Sequence, residues 1–428
     1  MLFRPPLFLL TGLLWLLLSA LLGLVLFLGT IRGNLLPPTL RLVHVHGALI
    51  GGVAQIIFGA MLAFVPPLLL SGRNRPESHP VQYALINIGT IAALIGFALR
   101  DHRAVGVAGL LIIVAFLSLF ADAVKQARSS LVSPPLNLWF YGVAFLALLC
   151  GLGLGDAMAF HVIPHTMVAP ARLSHIHLNL LGFVTLTIIG TMHNLFPTVL
   201  NTRLHSARLA RLAFFFLPLG ILLLVTGFML TAFSIQIGAG VVILSGIGLY
   251  ATNIVRTWID AGRPLTAASD HFLMATFFLV LVVPAGILVA VNLLWDPPRV
   301  PFGTLHVVAY THLALVGFVL HTIFGALSHL LPISLALSRV SSNKKRRPYL
   351  EQLTMIAERW RGLQVGALSL GTIGLVLVAV LVWPLSLGSV IVQTASWLSA
   401  GLLLVGVGIF AAKVGWLLVS RPQNDRPA

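Results

Sequence analysis

Twelve apolar runs, each long enough to cross the hydrocarbon of a bilayer, leave this sequence few folds to choose from. A spanning helix needs roughly 20 consecutive apolar residues. Such runs lie near 7–30, 42–70, 82–100, 104–121, 138–160, 175–199, 208–232, 236–256, 270–294, 306–335, 362–384 and 390–420. Only 8% of the 428 residues are charged, against about 25% in soluble domains. A chain in lipid must satisfy its own backbone polar groups, so these runs are helices. The fold expected is an all-α membrane protein with a single transmembrane domain over residues 1–428.

A formal charge of +16 would suit nucleic acid, but the basic residues follow the connections instead. Of the 26 Lys and Arg, 20 fall at the N-terminus, in the even-numbered loops and at the C-terminal end, and 6 in the odd-numbered loops. That asymmetry places both termini on the cytoplasmic side of a bacterial or archaeal cytoplasmic membrane. The partner implied is lipid, not nucleic acid. The cluster Lys344–Arg347, in the loop after the tenth run, reads as a topology and headgroup anchor. One Arg followed by a long apolar run, with no clear small-residue cleavage site, makes the N-terminus the first span rather than a removable signal. Cys150 is the only cysteine, which excludes a disulfide framework, an iron-sulfur cluster and covalent haem attachment.

Three of the runs align without a gap. From His46 the chain reads HGALIGGVAQIIFGAMLAFVP, from His177 HLNLLGFVTLTIIGTMHNLFP, and from His312 HLALVGFVLHTIFGALSHLLP. Each copy has Gly five residues after its histidine (Gly51, Gly182, Gly317), Gly at thirteen (Gly59, Gly190, Gly325) and Pro at twenty (Pro66, Pro197, Pro332). The origins are 131 and 135 residues apart with four runs in each interval, so the repeat unit is a four-helix block. Three pseudo-symmetric blocks follow, over about 1–135, 136–265 and 266–428. An even number of crossings per block makes the copies parallel. At 100° per residue the glycines and the proline fall within an arc of about 80° opposite the histidine. Packing is expected on that face, and histidine occupies the other.

Histidine in hydrocarbon is costly and marks functional interiors. Of 15 histidines, nine lie at or near the outer side: His44, His46, His102, His161, His165, His175, His177, His306 and His312. One at the same phase of all three repeats points to a cofactor. Two copies extend the motif to His44-Val-His46 and His175-Ile-His177, whereas the third has Tyr310 two residues before His312. Residues two apart on a helix point about 200° apart, so the two rings serve different centres. Neutral imidazole is a common iron ligand. Five residues before two of the origins stand Arg41 and Arg172, read first as headgroup anchors and second as partners for haem propionates. His161 and His165, four apart, are candidates for copper. The inner-side His193 reads as a hydrogen-bonded helix-end residue ahead of a second haem or a quinone pocket.

These residues resemble the catalytic subunit of the haem-copper oxidase superfamily, most closely its C-type cytochrome oxidase and nitric oxide reductase branches. The resemblance implies twelve helices in three pseudo-symmetric blocks. It places His46 and His312 on the low-spin haem ligands and His177 on the sixth-helix metal ligand, while the threefold repeat leaves His46 with His177, or His177 with His312, as alternative pairs. The chain departs from that pattern where the seventh run holds no histidine pair and where Tyr310 takes the high-spin haem position. H-x-H has moved to the second and sixth helices. That brings the chain nearer to divergent relatives such as the NnrS-type haem and copper membrane proteins, which also carry H-x-H before a glycine-spaced helix.

The function expected is a haem b protein with one or two haems and a possible copper, handling electrons and binding or reducing nitric oxide or oxygen. Its redox partners would be quinol, a periplasmic cytochrome c or another redox subunit of a respiratory chain. The alternatives are an electron-transfer subunit without catalysis of its own, and a haem or ion permease. Proton pumping is disfavoured, because only ten Asp and Glu exist and Asp156 is the clearest one within an apolar run.

Overall fold

Residues 4–34, 36–69, 79–130 and 133–422 are described in the computed structural model. Among them are twelve helices long and apolar enough to cross a membrane, and no strand. They are α1 (Pro5–Ile31), α2 (Pro38–Leu68), α3 (Pro80–Leu99), α4 (His102–Ser129), α5 (Leu136–Ala159), α6 (His165–Val199), α7 (Ala207–Met229), α8 (Phe233–Asp260), α9 (Ala267–Asn292), α10 (Thr304–Arg339), α11 (Asn343–Leu381) and α12 (Val390–Val419). The expected end of the second span at residue 70, and Arg73, Arg75 and Arg426 of the charge count, lie outside the described residues.

Local chemistry sets the helix starts. Proline opens α1, α2 and α3 in the first turn, where its missing N–H costs nothing. Between α3 and α4 the chain turns on Arg100 in the left-handed region (φ 59°), and the Asp101 carboxylate accepts from the Ala104 N–H at 3.1 Å. Thr266 and Ser269 bond reciprocally at the start of α9.

Two sequence expectations are corrected. The cluster Lys344–Arg347 is helical, not a loop: α11 begins at Asn343, nineteen residues before the expected start of the eleventh span. Its first section, Asn343–Glu358, buries Tyr349, Leu353, Ile356 and Ala357 along one face, a period that the surrounding charges hide in a hydropathy reading. The chain then breaks at Trp360, left-handed at φ 54°, before the apolar section Arg361–Leu381.

The second correction concerns helical phase. In α2, α6 and α10 the eight residues after the origin histidine form a π-helix: Gly47–Ala54, Leu178–Thr185 and Leu313–Leu320. Bonds there run five residues back instead of four, so a 100° wheel cannot be carried through them. The packing face survives on other evidence. A Cβ added at Gly59, Gly190 or Gly325 would stand 2.7 Å from Phe8 Cβ, 2.6 Å from Phe140 Cβ and 2.8 Å from Phe272 Cε1. Those phenylalanines lie 132 residues apart on α1, α5 and α9, the first helix of each block. Gly51, Gly182 and Gly317 meet Trp15, Ala147 and Phe278 of the same three helices. The glycines are there for close helix approach.

Contacts gather the chain into two units, Met1–Thr191 with Phe214–Ile243, and Met192–Ala213 with Leu244–Ala428. The first holds α1 to α5 and the histidines of α2 and α6 up to His177; the second holds α9 to α12.

Candidate functional site

In all three repeat helices the origin histidine is the last α-helical residue before the π turn. Single π turns inside α-helices concentrate at functional sites. His46, His177 and His312 each direct Nδ1 to the carbonyl four residues earlier: Leu42 at 2.9 Å, Leu173 at 2.8 Å and Val308 at 2.7 Å. A carbonyl oxygen only accepts, so each Nδ1 carries the proton and the neutral ring keeps its lone pair on Nε2. Metal-ligating histidines use this arrangement, the second nitrogen held by an outer-shell acceptor.

The leading histidines of the two H-x-H pairs are anchored as well, but on the preceding helix. His44 Nδ1 donates to the Ser19 carbonyl of α1 at 2.8 Å, and His175 Nδ1 to the Gly151 carbonyl of α5 at 2.7 Å. Each ring lies against a glycine. An added Cβ at Gly23 would stand 2.6 Å from His44 Cε1, and one at Gly155 2.9 Å from His175 Cε1. In the other unit Tyr310 takes this place, its Oη 2.8 Å from where a Cβ on Gly286 would be. Gly23, Gly155 and Gly286 are therefore ring cradles. We expect Gly155→Ala to push the His175 ring off the Gly151 carbonyl and to weaken any metal group held there, whereas Gly153→Ala, with open space around its Cβ, changes nothing. Metal-group content of the two purified variants checks this.

The two residues of H-x-H point apart, as the wheel requires. His44 turns to α1, while the His46 ring packs 4.4 Å from Phe97 of α3 and has its centre 6.5 Å from that of His175, with 29° between the planes. His177 is covered likewise by Phe228 of α7, at 4.7 Å. Among the described residues the Nε2 atoms of His44, His46, His175 and His177 have no hydrogen-bond partner.

Other expected residues are not drawn together. Arg41 and Arg172 are exposed and make no hydrogen bond or ion pair among the described residues. His161 and His165 line an open recess of about 370 Å³ with Met158, Ile163 and Val168, and the His161 ring meets that of His102 at 5.1 Å. No group of three or more His, Cys, Asp or Glu is close enough to hold a bare metal ion among the described residues. His161 and His165 are thus joined by no third His, Cys, Asp or Glu among the described residues. Iron porphyrin brings four nitrogens of its own and asks the protein for one or two axial ligands, a demand that His46 and His175 meet. The residues fit haem.

Sequence reading missed the three cradle glycines, although their spacing of 132 and 131 residues is close to the 131 and 135 of the origins. It also missed Phe97 and Phe228, whose ring contacts join separate helices and leave no spacing signature.

No family model matches the sequence. An "Uncharacterized protein" of Aquifex aeolicus (strain VF5) is 30% identical over 198 residues, 45% of this chain, and the chain spans about half (48%) of that relative's length. By structure, the chain matches a haem-copper terminal oxidase solved as a dimer by cryo-electron microscopy, with a TM-score of 0.69 over 97% of this chain and 82% of the other. The chain has the haem-copper oxidase fold. At 14% identity the likeness is one of fold. Within that fold, α2, α6 and α10 each carry a histidine whose Nδ1 is held by the carbonyl four residues earlier.

Proposed function

We propose that the chain is a haem b-binding redox protein of the cytoplasmic membrane, with His46 and His175 as the axial ligands of one iron near the outer face. The observation that carries this is the pair of imidazoles held by Nδ1 on main-chain carbonyls with ring centres 6.5 Å apart. Two imidazoles on one metal, each bond about 2 Å long, have ring centres about 6 Å apart. Haem held by His46 and His175 would supply a one-electron couple, and two histidine ligands would leave it to pass electrons rather than bind gas.

The protein's own groups do the rest. The carbonyls of Leu42 and Gly151 hold the ring protons on Nδ1, raising the basicity of Nε2 and fixing the ring planes. Phe97 shields the His46 ring from water. Arg41 and Arg172, exposed on α2 and α6, would meet propionates or lipid phosphates. Either His44 or His177, anchored in the same way, is left to hold a second iron by a single imidazole, which would leave a position open for nitric oxide or oxygen. In the other unit, His312 keeps the same tautomer on Val308. Electrons would come from quinol or a periplasmic cytochrome c. The motif likeness to NnrS-type proteins supports nitric oxide as the gas concerned.

Carbon monoxide titration of the reduced, purified protein tests this division of labour. A b-type spectrum that carbon monoxide leaves unchanged is expected for the His46 and His175 haem, and any shifted fraction reports a second, five-coordinate iron. A spectrum that carbon monoxide shifts completely overturns the bis-histidine assignment.

A further inference from the structure

Away from the anchored histidines, the second unit holds a buried polar chain that crosses four helices. Lys413 of α12, 2% exposed, donates from Nζ to the Ala357 carbonyl at 2.8 Å and to Gln364 Oε1 at 2.7 Å. Gln364 Nε2 lies 2.9 Å from His271 Nε2, His271 Nδ1 lies 2.8 Å from His321 Nδ1, and His321 Nε2 lies 3.2 Å from Ser369 Oγ. Both imidazoles and the glutamine are almost wholly inaccessible.

The protons in this chain can be assigned. An ammonium only donates, so Gln364 Oε1 accepts and its amide N–H₂ donates to His271 Nε2. His271 must then carry its proton on Nδ1 and give it to His321 Nδ1, which leaves the His321 proton on Nε2, facing Ser369. Every donor points the same way, from Lys413 inward.

One end of the chain lies beside a partly exposed cluster of charges. Glu358, next to Ala357, is one-third exposed, pairs with Arg361 at 3.5 Å and accepts from the Ala267 N–H; Arg361 also pairs with Asp270 at 3.3 Å. The other end lies deep. Ser369 is eight residues beyond Arg361, about 12 Å along the axis, in a hydrocarbon layer whose half-thickness is about 15 Å. By the distribution of Lys and Arg, the charged end is the cytoplasmic one.

The geometry points to a proton-entry path from the cytoplasmic rim to mid-membrane, built on Lys413, Gln364, His271 and His321 rather than on carboxylates. Lys413 gives a proton to Gln364 Oε1 as the amide N–H gives one to His271 Nε2; this leaves an imidic acid, which returns to the amide by shifting its proton back from oxygen to nitrogen, and a neutral amine that is reprotonated from the rim. Each ring then gains a proton on one nitrogen and releases one from the other, so one proton in at Lys413 is matched by one leaving His321 Nε2 toward Ser369. Two directly bonded imidazoles in an apolar interior are costly as mere packing, and a packing role would not require donors aligned over five residues. The path is independent of whether haem is bound.

Deuterium exchange at the imidazole protons tests it. In full-length, ¹⁵N-histidine-labelled protein in liposomes, the coupling across the Nδ1 to Nδ1 bond identifies the His271 and His321 pair by solid-state NMR without a variant. On transfer to D₂O both rings are expected to exchange well ahead of the backbone amides of α9 and α10. Lys413→Met or Gln364→Leu should slow ring exchange by about tenfold or more while amide protection stays unchanged, and Gln364→Glu should restore it. Rings that stay protonated as long as the core amides, or that exchange equally fast in the folded variants, overturn the proposal. That wild-type comparison decides the matter even if a variant fails to fold.

Discussion

Alanine at either His46 or His175 is expected to abolish the low-spin signal of one haem while leaving the helices intact. Each side chain supplies one axial bond, and an iron left with a single imidazole turns high-spin and opens to carbon monoxide. The fold should tolerate the change. The rings are half-buried, and the close packing of α2 and α6 runs through the glycines against Trp15, Phe8, Ala147 and Phe140. The two variants should therefore share one phenotype: loss of the same spectral component, gain of carbon monoxide binding, and unchanged thermal unfolding. Loss on His46→Ala with none on His175→Ala would break the pair apart. His44→Ala serves as a contrast. Its ring turns to α1, so it should leave the His46 and His175 component in place.

Bulk at the repeat glycines should have the opposite consequence, with loss of the fold and only secondary loss of cofactor. Valine at Gly190 or Gly325 would drive a side chain into Phe140 or Phe272, where even a Cβ stands 2.6 to 2.8 Å away. Overpacking of this kind costs about 1–3 kcal/mol where neighbours can shift, and Phe140 and Phe272 are fully buried rings. A clear fall in detergent-solubilised melting temperature is expected for each. Gly366→Val, with no neighbour near its Cβ, should melt as the parent does. Equal melting of all three would remove the helix-approach role given to the repeat.

Much of this architecture was legible because it is periodic. The apolar runs gave twelve helices, and the spacing of Gly gave the residues at which the repeat helices meet their neighbours, although the 100° wheel that set histidine opposite them does not hold through the π turns. H-x-H predicted rings on opposite sides, and His44 and His46 part in that way. The π turns were not legible, since a hydrogen bond that shifts from four residues back to five leaves no residue signature. The amphipathic start of α11 was hidden by Lys344, Lys345, Arg346 and Arg347. The approach of His46 to His175 depends on how α2 and α6 pack, which no spacing within either helix encodes. The buried chain from Lys413 to Ser369 takes its groups from four helices, so a search for carboxylates within apolar runs passed over it.

Near-infrared magnetic circular dichroism of the oxidised protein, purified after expression with ample haem, is the most direct test of the central claim. Each axial ligand set gives its own charge-transfer band, so the measurement reads the ligands and not only the presence of haem. The band of bis-imidazole low-spin ferric haem is expected in the parent and absent from His46→Ala and His175→Ala alike. A colourless protein, or a band from any other ligand set that both variants retain, would contradict the account.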